Sequence, residues 1–344
     1  MIVSASRRTD IPAFYAKWFV DRLREGFAVC QNPFNRKQMT PISLRPEDVE
    51  AIVFWTKNPH PLLSYLSEID RMGHRYYFHF TLNCYPRAFE PRVPELAQRI
   101  KTFKMLSDEI GAERVIWRYD PIILSSITGI DYHLRVFGKI AKELRSYTAR
   151  VVISFLDIYG KVRQKLERLR QESGIETFDI SGELFETERC ELLAGISEIA
   201  RENGIEAMSC CEEIDVSKFQ IQRGACIDRN LIESVFGVKV NAGKDKNQRG
   251  NCLCATSADV GAYNTCRFAC TYCYANYSEE AVSRNLRLHN PQSPLLCGTP
   301  ERNLPQQTTL FDIMREENAG SGINLSGISA SLGECCVCDE KEIR

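Results

Sequence analysis

Cys266, Cys270 and Cys273 stand at C-x-x-x-C-x-x-C spacing near the end of the chain. Three thiolates on so short a run can wrap one small metal centre. In an iron–sulfur cube, three protein ligands leave the fourth iron open to a small molecule. Tyr272 precedes the last cysteine and can shield such a centre from water. A zinc knuckle instead reads C-x-x-C with a second pair some way off. Disulfide frameworks belong to oxidising compartments. The start Met1-Ile2-Val3-Ser4 has no signal-peptide pattern, so the thiols are expected to stay reduced in the cytoplasm. The spacing therefore favours iron–sulfur over zinc, and zinc over structural thiols.

Such a centre needs a scaffold, and the composition provides for one. The chain has 344 residues, 44% hydrophobic and 26% charged, enough for one barrel-sized domain or two ordinary ones. A net charge of -1 exerts no global pull on nucleic acid or membrane, so an anionic ligand must be held by local basic residues. No apolar run is long enough to span a bilayer, which predicts no membrane segment. Nine of the 15 cysteines lie between Cys210 and Cys297, marking the second half as the metal region.

Ahead of it, apolar runs alternate with amphipathic helical patterns. Strands are predicted at 2–6, 51–55, 76–82, 115–119, 151–156 and 205–209, with helices between them. The segment 30–47 reads as a loop or hairpin. Strands without clean polar alternation are what buried parallel sheets look like. Six strand–helix repeats predict an α/β fold, a TIM-like (βα) barrel or partial barrel, whose polar strand tips crowd one mouth. Those tips carry Arg7, Arg8, Asp10, Lys57, Asn58, Asn83, Arg118, Asp120, Ser154 and Asp157. Arg118 and Asp120 could pair there or clamp a carboxylate or phosphate. A seventh strand at 258–263 leads into the cysteine loop, and a helix at 279–288 follows it. The barrel repeats thus occupy 1–212, the cysteine-rich region that completes them 213–290, and a tail 291–344.

Four segments carry a resemblance: Ser6 to Tyr15, Val53 to Pro59, Trp117 to Pro121, and Tyr263 to Asn276. Together they resemble a family defined by a domain of unknown function, family 1848, over most of the chain to about residue 290. Its cysteine loop is similar to the cluster-binding loop of radical S-adenosylmethionine enzymes. More distantly it looks like spore photoproduct lyase, whose loop also ends in a Cys-Tyr pair, here Cys273-Tyr274. The resemblance implies a [4Fe–4S] cluster on Cys266, Cys270 and Cys273, S-adenosylmethionine on its open iron, and an external electron donor. Tyr272, Asn264 and Asp157 would contact the cofactor, while Arg118, Asp120, Lys57 and Asn83 would orient cofactor or substrate. In radical S-adenosylmethionine enzymes the cluster loop normally follows the first strand. Here that unit comes last, and a circular permutation reconciles the two if strand 2–6 packs beside the strand before Cys266. The implied reaction has an open substrate class, with a nucleic-acid lesion or modified base preferred.

Two alternatives stand beside this reading. The chain has no Gly-Gly-Glu strand end of the kind that holds the cofactor's amino group, which favours a non-radical iron–sulfur protein that binds nucleic acid or senses redox state. The other alternative is a zinc-dependent barrel hydrolase using Asp120 or Asp157.

Cys210, Cys211, Cys226, Cys252 and Cys254 form a second set. Cys211, Cys226, Cys252 and Cys254 would supply four ligands to a closed zinc site or a second iron–sulfur cluster. Buried small hydrophobes are the plainer reading. His79 and His133 lack a histidine partner at ligand spacing and read as packing or surface residues. Asn241 to Gly250 reads as a solvated basic loop. In the tail, Gln307-Thr308-Thr309-Leu310-Phe311 resembles the peptide by which bacterial repair proteins dock on the sliding clamp. Cys335, Cys336 and Cys338 receive no assignment.

Overall fold

Short β-branched and aromatic runs such as Ala51-Ile52-Val53-Phe54-Trp55 cannot leave either face in water, and they pair into one parallel sheet. A computed structural model describes residues 1–298 apart from residues 34, 36, 159, 181 and 213. The predicted clamp-like peptide and the last three cysteines lie outside the described residues. In chain order the first elements are β1 (Ile2–Ala5), α1 (Ile11–Phe14), α2 (Ala16–Glu25), β2 (Phe27–Gln31), β3 (Met39–Ser43), β4 (Ala51–Thr56), α3 (His60–Leu63), α4 (Leu66–Arg71) and β5 (Tyr76–Thr81). Then come α5 (Leu96–Ile110), β6 (Val115–Ile122), β7 (Leu124–Ser125), α6 (Ile130–Leu144), β8 (Arg150–Phe155), α7 (Gly160–Ser173), β9 (Thr177–Phe178) and α8 (Glu186–Glu202). The last are β10 (Glu206–Cys210), β11 (Gln222–Gly224), α9 (Arg229–Phe236), β12 (Ser257–Asp259) and α10 (Glu279–Arg287).

Eight strands form the main sheet in the order β11-β10-β8-β6-β5-β4-β1-β12, every neighbouring pair parallel. From β1 to β11 the order follows the chain without reversal. β12 then returns to the far side of β1, with Val3 opposite Ala258. The pairing expected between strand 2–6 and the strand before Cys266 is therefore present, although β12 is only three residues long. Segment 30–47 is part of the antiparallel β2–β3 hairpin, which starts earlier than expected, at Phe27. The helix expected after the first strand is broken at Tyr15 into α1 and α2. Gly26, at φ 77°, ends α2 in the left-handed conformation that favours glycine.

Alternation within the strands divides the core. Ile52, Phe54, Phe78, Phe80, Trp117, Tyr119 and Ile153 meet the apolar stripes of α2, α4, α5, α6 and α8. The opposite face presents Ile2, Val53, Tyr77, Ile116, Val152 and Met208 to a cover made of α9 and residues 226–255. That cover has little regular structure and was not expected from the sequence. Each large apolar side chain buried on either face contributes about 1.5–3 kcal/mol. A third apolar cluster lies where the strands end. There Val162, Leu166 and Leu169 of α7 pack with Phe89, Val93, Phe268 and Tyr272. This cluster seats the cysteine loop.

Candidate active site

The cysteine loop is held from three sides. Tyr15 donates its hydroxyl to the Thr265 carbonyl at 2.7 Å, and Phe14 packs on Phe268 with ring centres 4.6 Å apart. Thr271 bonds the backbone of residues 88 and 89 through its amide and its hydroxyl. On the third side, Lys165 of α7 donates to the carbonyls of Cys273 and Asn276 at 2.8 and 2.6 Å. Asn264 closes the root of the loop. It sits at φ 57°, its amide bonds the Ala275 carbonyl, and its side-chain oxygen accepts from the Tyr277 amide. Asn264 does not line the adjoining cavity, so its role in this structure is to shape the loop.

Cys266, Cys270 and Cys273 line a cavity of about 260 Å³ together with Arg7, Arg8, Asp10, Lys57, Asp120, Ser154 and Asp157. The strand tips and the three thiols therefore share one mouth. Burial pushes the Cys266 and Cys270 thiols up, a cost that a positive centre bound to the sulfurs would remove. The Ala275 amide donates to the Cys273 sulfur at 3.3 Å, the type of bond that tunes a sulfur-ligated centre. Among the described residues no group of three or more His, Cys, Asp and Glu side chains meets the geometry of a metal-ion site. By chemistry and exposure, Cys266, Cys270 and Cys273 are the residues that could hold a cluster facing the cavity.

Around these sulfurs the strand tips are tied into two ion-paired groups. In the first, Lys57 donates to Glu90 at 2.8 Å and to Asn83 at 3.3 Å, and the Tyr272 hydroxyl donates to the same Glu90. Glu90 is 2% exposed, and Arg99 approaches it at 4.0 Å. Burial, then Glu90 itself, raises the Tyr272 phenol well above its ordinary range, so it stays protonated and donating. Tyr272, expected to shield the centre and contact the cofactor, lines the cavity and fastens the loop to the β4 tip through Glu90. Asn83 and Arg118 stand behind the cavity wall rather than on it. Glu90 had no motif to announce it. Its only signal was a carboxylate in the apolar-rich run Ala88-Phe89-Glu90-Pro91.

In the second group, Arg118 grips Asp120 through two N–H bonds of 3.0 and 2.6 Å, and Ser154 donates to the other carboxylate oxygen. The predicted Arg118–Asp120 pair is present. β6 runs on to Ile122 with a register shift after Tyr119, and this bulge turns Asp120 toward the mouth. Asp157 lines the cavity and pairs with Arg249 at 2.7 Å, so Arg249 of the basic loop has an ionic partner. Asp10 caps α1 through the Ala13 amide and also accepts from Thr56 and the Lys57 amide. Burial pushes its carboxyl up to about 7.

Asp259 is a further residue that pattern reading missed. Its carboxylate accepts from Ser4, Ser6, the Arg7 amide and the Gly261 amide at 2.6–2.9 Å. It thereby locks β12 to β1 directly under the loop. His79 and His133 are both buried. His79 bonds the Cys226 carbonyl, and His133 lies between the Tyr119 hydroxyl and the Ile123 carbonyl.

The second cysteine set also converges, on the far face of the sheet. Cys210 and Cys226 sulfurs lie 2.9 Å apart, and Arg118 donates to Cys226 at 2.8 Å. Cys254 contacts both Cys226 and Cys252, and Cys252 contacts Cys211.

A parallel α/β protein with its polar groups gathered at the strand ends is a scaffold that places chemistry at one mouth. The chain belongs to the family defined by a domain of unknown function, DUF1848, which matches residues 2–275. Neither the curated proteins nor the solved structures contain a match to it.

Proposed function

We propose that this protein is an iron–sulfur enzyme of the radical S-adenosylmethionine type. A [4Fe–4S] cluster would sit on Cys266, Cys270 and Cys273, with cofactor and substrate in the adjoining cavity. The observation that carries the reading is the shared mouth: the thiols of Cys266, Cys270 and Cys273, the second buried and the others half-buried, line one cavity with the tips of β1, β4, β6 and β8. When bound, such a cluster supplies the electron that splits the cofactor's sulfonium. The chain's own residues supply the rest. Phe268, Tyr272 and Leu156 keep water from the sulfurs, Lys57 and Asp120, each already ion-paired, fix a cation and an anion on the cavity wall, and Arg7 and Arg8 make the lip basic. That lip suits a phosphate-bearing substrate, and a nucleic-acid lesion or modified base is the proposed class.

The same reading takes the sheet as a partial barrel, circularly permuted so that the cluster strand β12 comes last yet lies beside β1. The alternative of a zinc hydrolase is less well supported. Asp120 is taken up by Arg118 and Ser154, and Asp157 by Arg249. A non-radical iron–sulfur protein is the nearer rival, because the chain has no Gly-Gly-Glu strand end.

The test is anaerobic reconstitution with iron and sulfide, then reduction in the presence of S-adenosylmethionine. The proposal expects 5′-deoxyadenosine from the wild type and none from Cys270→Ala. An intact cluster that releases none would favour the rival.

A further inference from the structure

Behind the cavity wall, three separate stretches of chain bring five sulfurs into one line: Cys210–Cys226–Cys254–Cys252–Cys211. We propose that this line is a second, all-thiolate metal centre, with Cys226, Cys252 and Cys254 as three ligands and the fourth from the Cys210–Cys211 pair.

Four features carry the inference. First, thiol-to-thiol hydrogen bonds are weak, so clustering five buried or half-buried thiols gains little unless something else binds them. Second, the buried guanidinium of Arg118 donates to Cys226 at 2.8 Å, an arrangement that suits a thiolate better than a neutral thiol. Third, consecutive residues of an extended strand point to opposite faces. Cys211 breaks that rule by adopting φ 59°, a left-handed conformation disfavoured for a residue with a Cβ, and both Cys210 and Cys211 join the line. Fourth, between α9 and β12 the described chain has no helix or strand and only an isolated bridge from Lys244 to Ala255. A metal bound by Cys226, Cys252 and Cys254 would fasten this irregular cover to the sheet.

The five sulfurs meet in a succession of pairwise contacts, and among the described residues they do not surround one metal-sized point. Tetrahedral zinc with bonds of about 2.3 Å sets its sulfurs about 3.8 Å apart. The 2.9 Å between Cys210 and Cys226 would therefore open by less than about 1 Å on binding. Zinc and an iron–sulfur cluster share this tetrathiolate chemistry, and composition separates them.

The experiment removes the first site and asks what remains. Full-length Cys266→Ala/Cys270→Ala/Cys273→Ala protein, purified without oxygen, is expected to keep about one zinc, or about four irons with matching sulfide, per chain. Adding Cys226→Ser and Cys254→Ser is expected to remove it. If that variant does not fold, native-state alkylation of the triple variant decides. Cys226, Cys252 and Cys254 should resist the reagent until a chelator is added. A folded, metal-free triple variant, or a Cys210–Cys226 disulfide in its place, would overturn the proposal. Because the first site is absent throughout, the result is independent of any radical chemistry.

Discussion

Glu90→Gln keeps the shape of a side chain that three neighbours share and removes its charge. Lys57 donates to it at 2.8 Å, the Tyr272 hydroxyl donates to it, and Arg99 lies 4.0 Å away. With the carboxylate gone, two cations remain in a pocket where the Lys57 side chain is 13% exposed and Arg99 3%. Removing one partner of a fully buried pair costs about 3–5 kcal/mol. The residual access of Lys57 to water discounts that to about 2–4 kcal/mol. At about 2 °C per kcal/mol for a chain of this size, the apo-protein should melt about 4–8 °C lower. If the penalty is the stranded charge, Lys57→Met in the Glu90→Gln background should restore a large part of it, a coupling a double-mutant cycle reads directly. Thermal melts of the wild type, both single variants and the double variant suffice. Additive losses, or a Glu90→Gln protein as stable as the wild type, would refute the claim that this carboxylate ties the cysteine loop to the β4 tip.

Two further outcomes are expected. Burial lowers the His133 imidazole to about 4 from its ordinary 6.5, so the unfolded chain binds a proton that the folded chain refuses. That stability is fully present above 6.5 and is lost as pH falls toward 4. The wild-type unfolding free energy from urea titrations should drop between about pH 7 and about pH 5 by up to about 2 kcal/mol more than that of His133→Asn, and equal drops would refute the assignment. In the second, Gly261→Ala would set a Cβ 2.6 Å from the Ser6 Cβ, inside the Asp259 knot. It should cost about 1–3 kcal/mol, or more if the backbone cannot shift, and loosen the cysteine loop, read as faster amide exchange at 264–277. An unchanged exchange pattern would show that the knot does not support the loop.

The residues explain what could be read in advance. β4, β5 and β8 were legible because each is a run of mostly apolar residues ending in a polar tip, as a strand buried on both faces tends to be. Asp10 begins α1 because a cap acceptor and a proline two residues on suit a first turn. The position of the cysteine loop beside the other tips followed from pairing β12 with β1. Glu90 and Asp259 were not legible. Each is a single carboxylate whose partners lie far away in sequence, at Lys57 and Tyr272, or at Ser4 and Ser6. Nor was the cover over the far face, since residues 237–256 have no periodicity and are placed by contacts distant in sequence, among them Val240, Cys252, Cys254 and Ala255 against the sheet. Asn264 looked like a cofactor contact because it opens the motif. In the structure it lies off the cavity lining and turns the loop at φ 57°, a conformation asparagine tolerates better than most side chains.

The proposed cluster would have one open corner at a mouth where a small molecule can reach it. The electron paramagnetic resonance spectrum of the reduced, anaerobically reconstituted protein, recorded before and after adding S-adenosylmethionine, tests this most directly. A cluster signal that changes shape on addition, and that is absent or unresponsive in Cys266→Ala/Cys270→Ala/Cys273→Ala, is the predicted result. A wild-type signal indifferent to the cofactor, or a responsive signal that survives loss of the three cysteines, would contradict it.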